Sequence, residues 1–346
     1  MVQGKDVVKA NGLVYLTDSM PGFYRKGKPG SFFYEDKGGH KITDEKHLNR
    51  IKALVIPPAW QNVWIADKPN AYLQVTGIDA AGRKQYKYHA KWTSRRSDDK
   101  YFRLYEFGKA LPEARKKIAK DLRRKELDER KVLAISVDLL QKTLIRVGNE
   151  SYKQLYGSFG LTTLRDKHVK INGDRINIDF IGKKGVKQNV ELNDRNLAKL
   201  VKKCRDIPGQ ELFQFYTAGK EHKGIDSGKI NNYIKEITGS DFTAKDFRTW
   251  GGTLEALRQF SNCSGDENLN IKKTIVNVLD CVAKKLGNTR AVCKSSYVYP
   301  LLITAYENDE LGKYTKKMNC GKTRDNLNLA HDEKVLLSFL KSTGSK

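Results

Sequence analysis

Five side chains that could act on a phosphate group stand at well-marked places in the sequence. Arg146 follows an apolar helical stripe, and Lys183 lies in a predicted turn. Arg248 lies beside two aromatic residues. Asn288 and Tyr297 belong to the segment that begins with a Gly-Asn helix stop. Arginine can grip two phosphate oxygens through its planar fork, lysine can donate a proton, and tyrosine can act as a nucleophile. These residue types suit a phosphoryl transfer.

The usual motifs of nucleotide-dependent and metal-dependent enzymes are absent from the sequence. The chain contains no Walker A loop, no GxSxG, no HExxH and no recognisable spacing of metal-binding carboxylates or of zinc-binding Cys and His. A phosphoryl transfer without a metal needs cations of the protein itself, together with a nucleophile and a proton donor. We therefore expect neither a metal nor a small-molecule cofactor.

Composition indicates a polyanionic partner. The 346 residues include 65 Lys and Arg against 40 Asp and Glu, a formal net charge of +25 at pH 7, and the basic residues are spread along the whole chain. Solubility alone needs only a modest net charge. Duplex nucleic acid is the commonest partner of so basic a protein, so we expect double-stranded DNA and not a membrane.

The same composition predicts an intracellular location. No apolar run is long enough for a membrane span, and the first residues lack the apolar core of a secretory signal. The five cysteines are odd in number, scattered and without a CxxC pair, which fits a reducing compartment. We expect the chain to lie with DNA, in a bacterial cytoplasm or in a virus factory or virion, and not to be secreted.

The sequence pattern of residues 1–92 predicts a small β-rich domain. Short apolar and aromatic segments such as 31–34 and 71–75 alternate with Gly-rich and Pro-rich turns. A short helix is expected after Thr43, whose hydroxyl can cap it.

The sequence pattern of residues 93–346 predicts a larger, mainly α-helical domain. Apolar residues recur at helical spacing over 133–144 and again over 271–286. Between them, Val169–Leu192 alternates with a period of two around two tight turns, which predicts a β-hairpin or a three-strand meander. The whole pattern predicts an α+β fold.

Several segments carry a family resemblance. They are Ile56-Pro57-Pro58-Ala59-Trp60, Gly82-Arg83-Lys84-Gln85-Tyr86, Gly157-Ser158-Phe159-Gly160-Leu161-Thr162-Thr163-Leu164-Arg165, Lys245-Asp246-Phe247-Arg248-Thr249-Trp250 and the stretch from Gly287 to Tyr297. In this order they resemble type IB DNA topoisomerases, in particular the compact poxvirus-like branch found in large DNA viruses and bacteria. The resemblance runs from about residue 20 to residue 310, and the tail after residue 315 adds little. It implies a catalytic domain related to that of the tyrosine recombinases.

The resemblance also implies a role for each of the five side chains. Tyr297 attacks the scissile phosphate and forms a 3′-phosphotyrosyl link. Arg146 and Arg248 grip the non-bridging oxygens, and Lys183 is the general acid that protonates the leaving 5′ oxygen. Asn288 stands where the poxvirus enzymes carry a histidine that hydrogen-bonds a phosphate oxygen. An amide can donate the same bond but brings no charge.

A second group of residues is expected to contact DNA. The segment between Gly82 and His89 interleaves basic and aromatic side chains, which indicates either a DNA-contact surface or simply an edge strand with a charged face. The DNA-binding candidates are Arg83, Lys84, Tyr86 and Tyr88, with Lys245 from the catalytic domain. We expect a monomer whose two domains form a clamp around the duplex.

Alternatives exist for single residues and for the function. Tyr299 and Tyr306 compete with Tyr297, and Lys184 competes with Lys183. A tyrosine recombinase or integrase uses a similar residue set, but such enzymes typically carry a histidine at the position of Lys245 and a helical amino-terminal module. A DNA-binding relative that has lost catalysis is the other alternative, which only an assay excludes.

The charge of the chain makes a testable prediction about binding. If phosphate contacts dominate, the affinity for duplex DNA should fall about a thousandfold between roughly 50 and 200 mM salt, because binding releases condensed counterions. Fluorescence anisotropy with a labelled duplex over a salt series measures the slope. A flat dependence on salt would contradict an electrostatic interface.

Overall fold

The computed structural model describes residues 12–80, 82, 84–217, 219, 221–263, 270–318 and 327–343, with the side chains of residues 92–102 left out. The chain divides into two compact units, Met1–Lys100 and Tyr101–Lys346. The domain boundary that the sequence suggests, at residues 92 and 93, stays a prediction.

Unit 1 is built on an antiparallel sheet of five strands in the order β2-β1-β3-β4-β5. Its members are β1 (Phe23–Lys26), β2 (Phe33–Glu35), β3 (Gln61–Ile65), β4 (Leu73–Ile78) and β5 (Lys84–Tyr88). One helix, α1 (Glu45–Ala53), packs Ile51 against Val63, Ile65 and Val75 of the sheet. The small β-rich domain expected from the sequence is therefore present.

The start of α1 differs from the expectation by one residue. The N-cap is Asp44, whose carboxylate accepts a hydrogen bond from the Lys46 amide at 2.8 Å, and not Thr43. An ionised side chain at this place satisfies an amide of the first turn and also interacts favourably with the helix dipole, whereas the threonine hydroxyl carries no charge.

Unit 2 is mainly helical. Helix α2 (Ala90–Leu122) leads into it, and the others are α3 (Glu129–Thr143), α4 (Glu150–Tyr156), α5 (Arg195–Arg205), α6 (Ser227–Thr238), α7 (Ala244–Asn262), α8 (Ile271–Leu286), α9 (Arg290–Ser296), α10 (Pro300–Glu307), α11 (Gly312–Met318) and α12 (His331–Thr343). Helix α3 is the central element, because its residues 131–140 are all buried and it packs against α5, α6 and α7. The apolar stripe over 133–144 marks this buried helix.

Two small antiparallel sheets accompany these helices. The first has the order β6-β7-β8, with strands Val169–Asn172, Arg175–Ile181 and Lys187–Asn193. The second pairs β9 (Gln214–Tyr216) with β10 (His222–Gly224). Of the two possibilities expected between residues 169 and 192, a β-hairpin or a three-strand meander, the structure shows the meander, and the α+β fold class is confirmed. No helix of the described ranges is long and apolar enough to cross a membrane.

Candidate active site

Tyr297 stands at the end of α9, where the backbone is held on two sides. Its amide donates to the Cys293 carbonyl at 2.9 Å, and its carbonyl accepts a hydrogen bond from Thr253 Oγ1 at 3.2 Å. The same hydroxyl oxygen of Thr253 accepts the Tyr299 amide at 3.2 Å. Thr253 is fully buried on α7, so a single side chain fixes the chain on both sides of the candidate nucleophile.

Two glycines of α7 make this close approach possible. A Cβ atom on Gly252 would lie 2.8 Å from the Tyr297 carbonyl oxygen and 3.2 Å from the Tyr297 Cβ. A Cβ atom on Gly251 would overlap the Leu144 side chain. Glycine costs helix stability, and here it lets α7 contact two loops of the site directly.

Arg248 lies one turn before these residues on α7 and is 4% exposed. Its Nη1 donates to the carbonyl of Leu144, and its Nη2 donates to the carbonyl of Leu286 at 2.9 Å. Its guanidinium carbon lies 5.0 Å from the centre of the Tyr297 ring. Its Nε is buried and has no hydrogen-bond partner in the described part of the chain.

Arg146 and Asn288 meet at the ends of two helices. Helix α3 ends at Leu144, which adopts left-handed backbone angles and turns the chain toward Arg146. The Arg146 Nη1 donates to the Gly287 carbonyl at 3.2 Å, and its Nη2 donates to Asn288 Oδ1. The amide nitrogen Nδ2 of Asn288 is buried and lacks a partner among the described residues. It is therefore available to donate a hydrogen bond to an oxygen atom of a ligand.

The positive charge of the site acts on Tyr297. Burial alone would raise the pKa of its phenol, but the charge and hydrogen bond of Arg248 and the charges of Arg146 and Lys245 outweigh burial and hold the pKa below its ordinary value. Burial and the neighbouring charge of Arg248 lower the pKa of Arg146, although a guanidinium stays protonated near neutral pH. The site therefore makes the phenolate of Tyr297 easier to form than that of an ordinary tyrosine.

The thiol of Cys293 shows that charge alone does not decide such shifts. It lies one helical turn before Tyr297, is fully buried and feels the same two arginines. Burial nevertheless dominates and raises the pKa of Cys293 to about 11. Tyr297 differs because it accepts a hydrogen bond from Arg248 in addition to the charge.

Lys183 occupies the tip of the β7–β8 hairpin and is exposed. Its ammonium lies 5.8 Å from the centre of the Tyr152 ring on α4, and that is the contact described for it. The hairpin contacts the site close to its turn, because the Gln188 side chain lies so near Gly287 that a Cβ atom on this glycine would overlap it. The structure thus brings Arg146, Arg248, Asn288 and Tyr297 together, with Lys183 on a neighbouring turn.

The other DNA-binding candidates are spread over both units. Strand β5 is an edge strand on which Lys84, Tyr86 and Tyr88 are exposed, and the two tyrosine rings stack with centroids 6.2 Å apart. The ammonium of Lys84 is paired with Asp18 at 2.5 Å. Arg83 lies outside the described residues. Lys245 is exposed on α7 and is close enough to Tyr297 to lower the pKa of its phenol.

Sequence reasoning missed Leu144, Gly252 and Thr253, which position the candidate residues without belonging to the motif. One signal was available, since a Gly-Gly pair inside a helical pattern costs stability and usually has a packing reason. In the described ranges no group of three or more His, Cys, Asp or Glu side chains could hold a metal ion.

Comparisons with known proteins match most of the chain's two units to one enzyme family. Residues 89–321 match the family model of the eukaryotic DNA topoisomerase I catalytic core, and residues 31–79 match that of the bacterial DNA topoisomerase IB N-terminal domain. The DNA topoisomerase 1B of Acanthamoeba polyphaga mimivirus is 33% identical over 298 residues, which cover 84% of this chain and 89% of the relative. The DNA topoisomerase 1B of Vaccinia virus (strain Copenhagen) is 25% identical over 289 residues, 80% of this chain and 86% of the relative.

The chain belongs to the type IB DNA topoisomerases. As a member of that family it is an isomerase that acts on DNA, which confirms the resemblance inferred from the motifs. The tyrosine recombinase alternative is thereby set aside. The two family models together reach from residue 31 to residue 321 of this type IB topoisomerase and stop before α12.

The packing of α7 against Tyr297 yields a prediction. Gly252→Ala should slow DNA cleavage by about tenfold to a hundredfold and leave DNA affinity unchanged, because the new methyl group displaces the Tyr297 backbone by a fraction of an ångström to one ångström. The rate at which the covalent protein–DNA complex forms under single-turnover conditions measures the effect. Gly312→Ala is the matched control, since a Cβ atom at this helical glycine meets nothing within 4 Å. Equal rates in both variants would contradict the packing argument.

Proposed function

We propose that the chain relaxes positive and negative DNA supercoils without ATP or a metal, by cutting one strand with Tyr297 and resealing it. The observation that carries this proposal is the placement of Tyr297 against the guanidinium of Arg248, with the charges of Arg146 and Lys245 also acting on the phenol. In this environment the phenol of Tyr297 loses its proton more readily and so becomes a better nucleophile. The same cations can stabilise the negative charge that develops on the phosphate during its transfer.

The proposed cleavage step balances as follows. Tyr297 loses its phenol proton to solvent and attacks as the phenolate: its oxygen forms a bond to the scissile phosphorus, and the bond from phosphorus to the 5′ oxygen breaks. Lys183 gives a proton to that oxygen, so a 5′-hydroxyl strand leaves and a 3′-phosphotyrosyl link remains. Resealing is the reverse reaction. Since the energy of the phosphodiester is kept in the tyrosyl link, no nucleotide has to be hydrolysed.

Two unpartnered donors of the site indicate where the scissile phosphate would bind. Arg248 Nε and Asn288 Nδ2 are both buried without a partner in the described structure. A buried donor that bonds to nothing costs free energy, and a non-bridging phosphate oxygen would satisfy each of them. Arg146 would add charge to the same group, while Asn288 would contribute a neutral hydrogen bond.

The exposed strand β5 supports a second contact with the duplex. Lys84, Tyr86 and Tyr88 share its solvent-exposed face, and we propose that this face and Lys245 contact DNA, together with Arg83. We further propose that the enzyme works as a monomer with the duplex between its two domains. Its place of action would be where the DNA is, in a bacterial cytoplasm or a viral factory.

Plasmid relaxation tests the proposed nucleophile. The wild type should relax positively and negatively supercoiled plasmid in EDTA without ATP, and Tyr297→Phe should relax neither while still binding DNA, because it lacks the attacking oxygen. Denaturing gels of labelled DNA reveal the covalent complex. A covalent complex formed by Tyr297→Phe would remove Tyr297 from its role, and binding without relaxation by the wild type would indicate a relative that has lost catalysis.

A modified leaving group tests Lys183 separately. Lys183→Ala should cut ordinary DNA about a hundredfold to ten-thousandfold more slowly, the usual contribution of a general acid. If the 5′ bridging oxygen is replaced by sulfur, the variant should cut at nearly the wild-type rate, because a thiolate leaves without a proton. Lys184→Asn is the matched control, since asparagine tolerates the left-handed backbone found there. A defect of Lys183→Ala that persists with sulfur would assign Lys183 to another role.

A further inference from the structure

A buried carboxylate joins the last helix to the helix that carries Arg248. Glu333 lies in the first turn of α12 and is 6% exposed. Its Oε1 accepts hydrogen bonds from Arg115 at 2.8 Å and from the Trp250 indole at 3.2 Å. Its Oε2 accepts from Arg115 at 2.8 Å and from the Ala330 amide at 2.9 Å. Both oxygens are therefore fully engaged.

Glu333 stays ionised in this environment. Burial pushes the pKa of its carboxyl up, but the hydrogen bonds and charge of Arg115, with the Ala330 amide and the Trp250 indole, hold it below the usual value. A buried carboxylate with a two-pronged arginine partner is geometrically specific, because both side chains are planar and meet in one orientation. The position of Trp250 relative to α12 is thereby defined.

Trp250 is close in sequence to every α7 residue that the site uses. It lies two residues after Arg248 and directly before Gly251, which contacts Leu144. A cavity of about 200 Å³ adjoins Leu144, Trp250 and Glu333, so packing alone does not fill the space on this side of α7. Where packing is incomplete, a directional hydrogen bond contributes more to fixing a helix in place.

Helix α12 also reaches the segment of the nucleophile. The Tyr299 hydroxyl donates to Thr343 Oγ1 at 3.1 Å, and the Tyr299 ring stands edge-on to Phe339 with centroids 6.1 Å apart. Tyr299 lies two residues after Tyr297. The same helix thus contacts a neighbour of Arg248 at its start and a neighbour of Tyr297 at its end.

We propose that Glu333 is a positioning residue for DNA cleavage, which holds α7 through Trp250 in the place where Arg248 meets Tyr297. The family match ends at residue 321, so it assigns no role to α12. The inference rests on the proposed roles of Arg248 and Tyr297.

Substitutions of Glu333 test the proposal. Glu333→Gln keeps an acceptor for Trp250 and loses the charge, whereas Glu333→Ala loses both. We expect covalent-complex formation to slow about tenfold in the first variant and about a hundredfold in the second, with unchanged affinity for duplex DNA, because a displacement of one ångström has an effect of this size. Asp332→Asn is the matched control, since Asp332 binds Arg258 at 2.6 Å and joins the same two helices farther from Arg248.

A spectroscopic readout separates positioning from general loss of stability. The ¹³Cζ signal of Tyr297, assigned by its absence in Tyr297→Phe, should titrate at higher pH in Glu333→Gln than in the wild type, because Arg248 then stabilises the phenolate less. Rates are measured below the melting temperature of each variant. If Glu333→Ala fails to fold, Glu333→Gln decides the matter.

Two outcomes overturn the proposal. The first is that Glu333→Gln, and Glu333→Ala if it folds, form the covalent complex at the wild-type rate while Arg248→Ala is inactive. The other is an equal loss in Asp332→Asn, which would mean that α12 merely docks. Wild-type cleavage by Arg248→Ala would instead remove the proposed function on which the inference rests.

Discussion

The site depends on one constraint, the burial of an arginine that is held by backbone carbonyl oxygens and not by a carboxylate of the described residues. Arg248 donates to the Leu144 carbonyl at the end of α3 and to the Leu286 carbonyl at the end of α8. The last carbonyls of a helix have no partner within the helix and carry the negative end of its dipole. Arg248 satisfies these groups, and the ends of α3 and α8 provide the polar environment that a buried cation requires.

The same arrangement leaves the cations of the site available to a phosphate. A carboxylate partner would neutralise Arg248 and compete with a phosphate for its fork, whereas two carbonyls hold it and leave its charge in place. Within the described ranges Arg146 is also held by a backbone carbonyl and not by a carboxylate, because it donates to the carbonyl of Gly287, the residue after Leu286. The lowered pKa of Tyr297 is the direct consequence, since the uncompensated positive charge acts on the nearest group that can become negative.

The sequence predicts the elements of this site better than their contacts. Gly287-Asn288 marks the end of α8 because a left-handed glycine is the usual helix stop, and Gly182 to Gly185 marks the hairpin that presents Lys183. Thr253 and Glu333 have no such signal. Their roles come from hydrogen bonds to residues 44 and 83 positions away, and a local pattern carries no information about partners at that separation. Even the cap of α1 was displaced by one residue, from Thr43 to Asp44, since both residue types can cap a helix.

The choice of residue types gives the site a constant charge near neutral pH. Its cations next to the phenol are two arginines and Lys245, and its fifth member, Asn288, is a neutral amide at the position where the resemblance implies a histidine in the poxvirus enzymes. A histidine gains and loses its proton between about pH 5 and 8, whereas arginine and asparagine do not titrate in that range. The electrostatic stabilisation that these groups would give to a phosphate in the proposed position is therefore the same across this range. Under the proposed mechanism, a change of the cleavage rate with pH in that interval would come from proton transfer at Tyr297 and the leaving oxygen, and not from the groups proposed to hold the phosphate.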